Sequence, residues 1–174
     1  MRWLLIPIWA ALLLTSAAVP ALAQPAADRT RATEAKADQS TGDQAKADHA
    51  KQLAIEAADL IRKKGLEGGC AEMRTPDGYF YQGETYAFIM DLKGVWRCFP
   101  PKPAAEGLSA LEVQDPDGKL LVKQMNEIAT TKGEGWIDYR WNNPATGRIE
   151  PKSTYVKRIL GTDLYACSGY YNSK

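Results

Sequence analysis

Apolar residues run almost without a break from Trp3 to Leu14, behind a lone basic residue, Arg2. Small residues then lead to Ala21-Leu22-Ala23, with Gln24 next. A charged start, a greasy middle and an A-x-A-like end predict a secretory signal peptide, residues 1–23, cleaved after Ala23. Thr15, Ser16 and Pro20 interrupt the apolar stretch, which is short for a membrane span of about 20 residues. Residues 24–45 are polar, with almost no large apolar side chain, and predict a flexible segment that cannot bury enough surface to offset its ordering. The pattern changes near Ala45. Leu53, Ala57, Leu60 and Ile61 recur at helical spacing, while Lys51, Glu56, Asp59 and Lys63 form the opposite, solvated face. This helix is expected to stop near Gly65.

Beyond the turn signal Thr75-Pro76-Asp77-Gly78 the periodicity becomes strand-like. Tyr86 to Met90 reads as a buried strand, Lys93-Gly94 as a tight turn, and Val95 to Phe99 as the returning strand of a hairpin. Pro100, Pro101 and Pro103 end it, since none has an amide to give a ladder. Asp115-Pro116-Asp117-Gly118 is expected to open a second helix, with an acidic N-cap and Pro in first position. Leu121, Met125 and Ile128 would form its buried side, and Gly133 its end. In the following strand Ile137, Tyr139 and Trp141 share one face and Asp138 and Arg140 the other. Two further strands, Ser153 to Leu160 and Leu164 to Tyr171, join at Gly161. Helix, hairpin, helix and three antiparallel strands make an α+β layer fold, residues 46–174 forming one domain.

Charge narrows the partners. The chain has 22 basic and 21 acidic residues, and loss of Arg2 with the signal would leave the mature protein without net charge. That balance argues against nucleic acid, which needs a clustered positive face, and against a polybasic membrane patch. No cofactor is expected. The single histidine, His49, lies in a polar helical stretch, and the cysteines Cys70, Cys98 and Cys167 fit no zinc or haem spacing. With no base beside a nucleophile and no phosphate-cradling loop, an enzyme is not expected.

Several segments together resemble a known family. Asp77-Gly78-Tyr79-Phe80, Tyr86 to Asp91 and Gly94 to Pro100 resemble the first hairpin of single Cache domains (the sCache type 2 kind), and Asp115 to Lys119 their approach to a helix. More specific are Gly133 to Trp141, with Gly-Trp-x-Asp-Tyr-x-Trp, then Asn143-Pro144, then Pro151-Lys152-Ser153-Thr154-Tyr155-Val156. The similarity covers about Ala50 to Tyr171 in the expected order. It implies a PAS-like antiparallel sheet of five to six strands, a long N-terminal helix packed on it, and a small-molecule pocket on the other face capped by helices. It also implies a periplasmic sensor that binds a small ligand, often a carboxylate.

A carboxylate leaving water must regain hydrogen bonds, so such a pocket needs a cation, hydroxyl donors and aromatic walls. Trp136, Tyr139 and Trp141 are candidates for walls and a phenol donor. Lys152, Tyr155 and Arg97 are candidates for charge and hydrogen bonds, although an edge-strand arginine such as Arg97 more often faces solvent. The expected function is binding or sensing of a small organic acid, without an output domain of its own and without a membrane anchor after processing. The signal would pass to a membrane sensor kinase, chemoreceptor or transporter. The alternative is a structural or assembly partner that keeps the fold and binds no ligand. The PAS-like strand order also sets Cys98 and Cys167 on strands flanking a third, about 9.5 Å apart and too far to bridge, which leaves Cys70 as the partner of either, or all three thiols free.

Overall fold

A computed structural model describes residues 26–172, with side-chain surroundings from residue 40 onward. The expected signal peptide and its cleavage site lie outside the described residues. Contacts divide the chain into one unit ending at Ala35 and a second beginning at Lys36. In the first, the described backbone is helical. The second contains the sheet and its two cores.

Helix α1 (Ala26–Met73) begins well before the expected start near Ala45. Residues 26–41 contain neither Pro nor Gly and are rich in Ala, the strongest helix former, so backbone propensity permits a helix even where there is little to bury. At Gly65 the chain leaves helical geometry (φ 72°, ψ 172°), a conformation open to glycine, and helix resumes to Met73. The expected stop is therefore a kink. Leu53, Ala57, Leu60 and Ile61 are all buried, as their spacing predicts.

The strands are β1 (Tyr81–Gln82), β2 (Thr85–Asp91), β3 (Trp96–Cys98), β4 (Glu134–Asn142), β5 (Ile149–Arg158) and β6 (Leu164–Tyr171). They form one antiparallel sheet in the order β1-β2-β6-β5-β4, with β3 also paired to β2. The hairpin β2–β3 turns at Gly94, whose φ is +76° and where a Cβ would meet Leu111 at 2.7 Å. The Asp91 carboxylate accepts the amides of Lys93 and Val95 inside that turn, each at 2.9 Å.

Each face of the sheet carries a core. On one, Leu53, Ala57, Ile61, Cys70 and Met73 of α1 pack on Ala87, Ile89, Cys98 and Ala166. On the other, Tyr86, Phe88, Met90, Ile137, Tyr139, Val156, Tyr165 and Cys167 are covered by Leu121, Val122, Met125 and Ala129 of α2 (Leu121–Thr131), with Trp96 and Phe99 beside them. The alternation expected for β4 holds: Ile137 and Tyr139 are buried, Asp138 and Arg140 exposed.

The segment Asp115–Gly118 does not open a helix. It is a turn, and α2 starts only at Leu121, with Leu120 at the N-cap and no side-chain cap. Asp115 Oδ1 accepts the amides of Asp117 and Lys119, each at 2.9 Å, and Gly118 sits at φ +80°. The carboxylate has closed on its own loop, a competing use of the same Asp-x-Asp-Gly signal. Its second oxygen accepts the amide of Arg140 on β4 at 3.2 Å, and the Lys119 ammonium reaches the Asp138 carbonyl on the same strand. Arg140 is paired with Pro151 across the ladder, so its amide points away from β5 and is free for Asp115.

Candidate functional site

On the sheet face beneath α2, β5 places Lys152, a charged side chain with no exposed surface. Its neighbours are aromatic. Nζ lies 3.9 Å from the ring centroid of Tyr86 and 4.6 Å from that of Tyr171, and donates to the Tyr171 hydroxyl at 3.4 Å. Tyr171 in turn donates to the Asn142 carbonyl at 2.7 Å. Among the described residues, no carboxylate lies within ion-pair distance of Lys152. Two ring faces and one hydroxyl compensate only part of an ammonium's lost hydration. Burial consequently pulls the Lys152 pKa down to about 7, opposed weakly by Cys167 and Glu84.

Strand alternation makes this cage. Lys152 and Thr154 of β5 and Tyr171 of β6 share the face with Tyr86 of β2, and Tyr139 of β4 joins them through a 2.9 Å hydrogen bond between its hydroxyl and that of Thr154. Burial pushes the Tyr86, Tyr139 and Tyr171 phenols upward, so they remain protonated. Gly169, opposite both Tyr86 and Thr154, leaves the gap that the lysine stem crosses. A Cβ there would stand 2.3 Å from Thr154 Oγ1, 2.6 Å from the Ser153 carbonyl and 2.9 Å from Lys152 Cε. Gly169→Ala is expected to destabilise the domain by roughly 2 kcal/mol, read as a lower denaturation midpoint at unchanged m-value.

Tyr86 also borders a hollow of about 390 Å³, whose other walls are Phe99, Pro101, Lys102, Trp141, Asn142 and Pro144. Its size suits a small organic molecule. A second hollow, about 360 Å³, lies where α1 meets the ends of β4 and β5. The cations Arg62 and Lys157 there are already paired with Asp59 and Glu134. A third, about 450 Å³, lies on the α1 face and is lined by Lys51, Trp136, Asp138 and Tyr170 among others.

Of the six residues chosen from sequence, Lys152, Tyr139 and Trp141 share the α2 face. Trp136 and Tyr155 do not. They lie on the α1 face, where Trp136 meets Tyr155 edge-on at 5.1 Å and Tyr170 at 6.0 Å. Positions 136 and 139, like 152 and 155, are three apart on a strand and must point to opposite sides. Arg97 projects from β3 to solvent and pairs with Asp91 at 3.5 Å, away from the cage. Sequence reasoning passed over Tyr86 and Tyr171. The signal was available, because both fall on the alternation that buries Phe88, Met90, Tyr165 and Cys167.

Residues 76–174 match the dCache_2 Cache domain model. The chain belongs to the Cache family. Over 92 residues this Cache domain is 32% identical to the sensor histidine kinase MctS of Rhizobium johnstonii, a stretch covering 49% of the chain and 20% of the kinase. It is 25% identical over 91 residues to the methyl-accepting chemotaxis protein McpP of Pseudomonas putida, covering 49% of the chain and 17% of that receptor. The chain thus spans about a fifth of the length of these curated relatives. Among solved structures, a methyl-accepting chemotaxis protein from Vibrio parahaemolyticus superposes with TM-score 0.66 at 17% identity, over 79% of this chain and 96% of that one. A second, described as the structural basis for carboxylic acid recognition by a Cache chemosensory domain, gives TM-score 0.58 at 25% identity, over 86% and 100%.

These relationships identify a ligand-sensing domain of the kind carried by chemoreceptors and histidine kinases. Cache domains are sensory rather than catalytic, and act outside the cytoplasm. The α+β PAS-like fold expected from sequence is the one observed. Among the described residues, no helix is long and apolar enough to cross a membrane.

Proposed function

We propose that this domain is exported with cleavage after Ala23, and binds a small organic carboxylate in the periplasm against Lys152. The observation that carries the reading is a fully buried ammonium caged by rings, with no carboxylate of the described residues within ion-pair distance. A cation kept out of water is costly unless something neutralises it, and an incoming anion would do so. The hollow bordered by Tyr86 and Trp141 is the space for the ligand's body, and rotation of the Tyr86 ring would join it to Lys152. The Tyr139–Thr154 pair has a second hydroxyl proton for a carboxylate oxygen, and Tyr171 would supply its own on releasing the Asn142 carbonyl. The related structure named for carboxylic acid recognition supports this choice of ligand class. Occupancy would be passed to another protein, a membrane sensor kinase, chemoreceptor or transporter.

A melting-temperature panel tests it. Saturating mono- or dicarboxylates at pH 6.5 should raise the melting temperature by several degrees, as expected for a ligand at about 100 times its Kd. Amines and purines should leave it unchanged. A well-folded sample that responds to no carboxylate would sink the reading in favour of an assembly role.

A further inference from the structure

The end of α1 and strand β3 meet through two thiols. Cys70, on the helical turns beyond the Gly65 kink, and Cys98, on β3, are both buried in the core of the α1 face. The Cys70 thiol donates to the carbonyl of Arg97, the residue before Cys98, at 3.7 Å. The same junction is tied a second time. Arg74 Nε donates to Glu106 Oε1 at 3.1 Å, and that oxygen also accepts the Phe99 amide at 2.8 Å. Cys167 stands apart. It is on β6, which with β3 flanks β2, and its side chain belongs to the opposite core.

We propose that Cys70 and Cys98 form a disulfide that fastens the C-terminal end of α1 to β3, leaving Cys167 as a free thiol. The bond closes a loop of roughly 28 residues, long enough for a substantial constraint on the unfolded chain. The oxidant is a disulfide, whether of glutathione or of a protein thiol oxidase. One of the two cysteine thiolates attacks one of its sulfurs, forming a mixed disulfide and expelling a thiolate. The other cysteine thiolate then displaces the second sulfur. Two protons leave the cysteines, and two electrons reduce the oxidant's disulfide to two thiols. Because both sulfurs are shielded in the folded domain, oxidation proceeds during folding. The export reading bears on this only by supplying an oxidising compartment.

The test uses purified protein refolded in glutathione buffers of fixed redox poise, so it is independent of export and of ligand binding. After oxidising refolding, thiol titration in denaturant should find one reactive cysteine, against three after reduction. The intact mass should fall by two hydrogen atoms, and non-reducing peptide mapping should join the Cys70 and Cys98 peptides. The oxidised protein should melt about 10 °C above the reduced one. Cys167→Ser should keep that difference, whereas Cys70→Ser and Cys98→Ser should abolish it. Three reactive thiols after oxidising refolding of wild-type protein, or a linked peptide containing Cys167, would overturn the proposal.

Discussion

Lys152→Met is expected to abolish carboxylate binding while making the ligand-free domain more stable. Methionine has a similar length and flexibility, so it can follow the path past Gly169 and lie against the Tyr86 and Tyr171 rings. It brings no ammonium to desolvate. Replacing buried charge with apolar groups of similar volume is often neutral or stabilising by about 1–4 kcal/mol, and the gain here should be in that range at pH 6. Binding should move the other way. Removing one partner of a buried charged contact costs about 2–5 kcal/mol, so affinity for any responsive carboxylate should fall on the order of 100-fold or more. Titration calorimetry reads the second effect and denaturant unfolding the first. Opposite signs in the two measurements are the signature of a group kept for its charge rather than for packing. If the Met variant binds as tightly as wild type, Lys152 is not the recognition point.

Acidity should tune the same site steeply. In the ligand-free domain Lys152 loses its proton near pH 7, whereas in the unfolded chain it does so near its ordinary 10.5. Between those values the unfolded state holds the extra proton, so stability of the ligand-free protein should rise as pH is raised through that window. The stability advantage of Lys152→Met should shrink in parallel. Ligand affinity has the reverse slope, because a carboxylate prefers the ammonium. Between pH 6.5 and 8.5 the dissociation constant should weaken roughly 20-fold, with proton uptake on binding at the upper end. Tyr86, Tyr139, Tyr171 and Cys167 face the lysine, but burial pushes each of them upward, so they stay neutral across this range. Glu84, the nearby acid, has its carboxylate held by the Asn143 amide at 2.8 Å. A flat affinity profile would mean that the lysine charge is not what the ligand meets.

Elements with a strong period and a marked turn were readable from residues alone. The β2–β3 hairpin follows from five apolar positions, Lys93-Gly94 and the prolines after Phe99, and the α1 stripe from Leu53 to Ile61. Asp115–Gly118 misled because an aspartate before proline serves equally as an N-cap or as the acceptor of its own loop. The choice was made by an amide on β4, distant in sequence. The grouping of the candidate residues was half legible. Lys152, Tyr139 and Trp141 do share one face of the sheet, but grouping Trp136 with Tyr139 treats neighbours along a strand as neighbours in space. Alternation marks Tyr86 and Tyr171 as inward-facing, but each looks like an ordinary core aromatic until strand pairing brings Lys152 between them.

Strand β4 ends the sheet, and an uncovered last strand offers its outward amides and carbonyls to any second chain that can extend alongside. Here the loop headed by Asp115 occupies that margin, taking the Arg140 amide with its carboxylate and the Asp138 carbonyl with Lys119. Two successive outward docking points are thereby filled from within. Strand addition by a neighbouring copy is blocked at this border, and crowded molecules have one route fewer to fibril-like stacking.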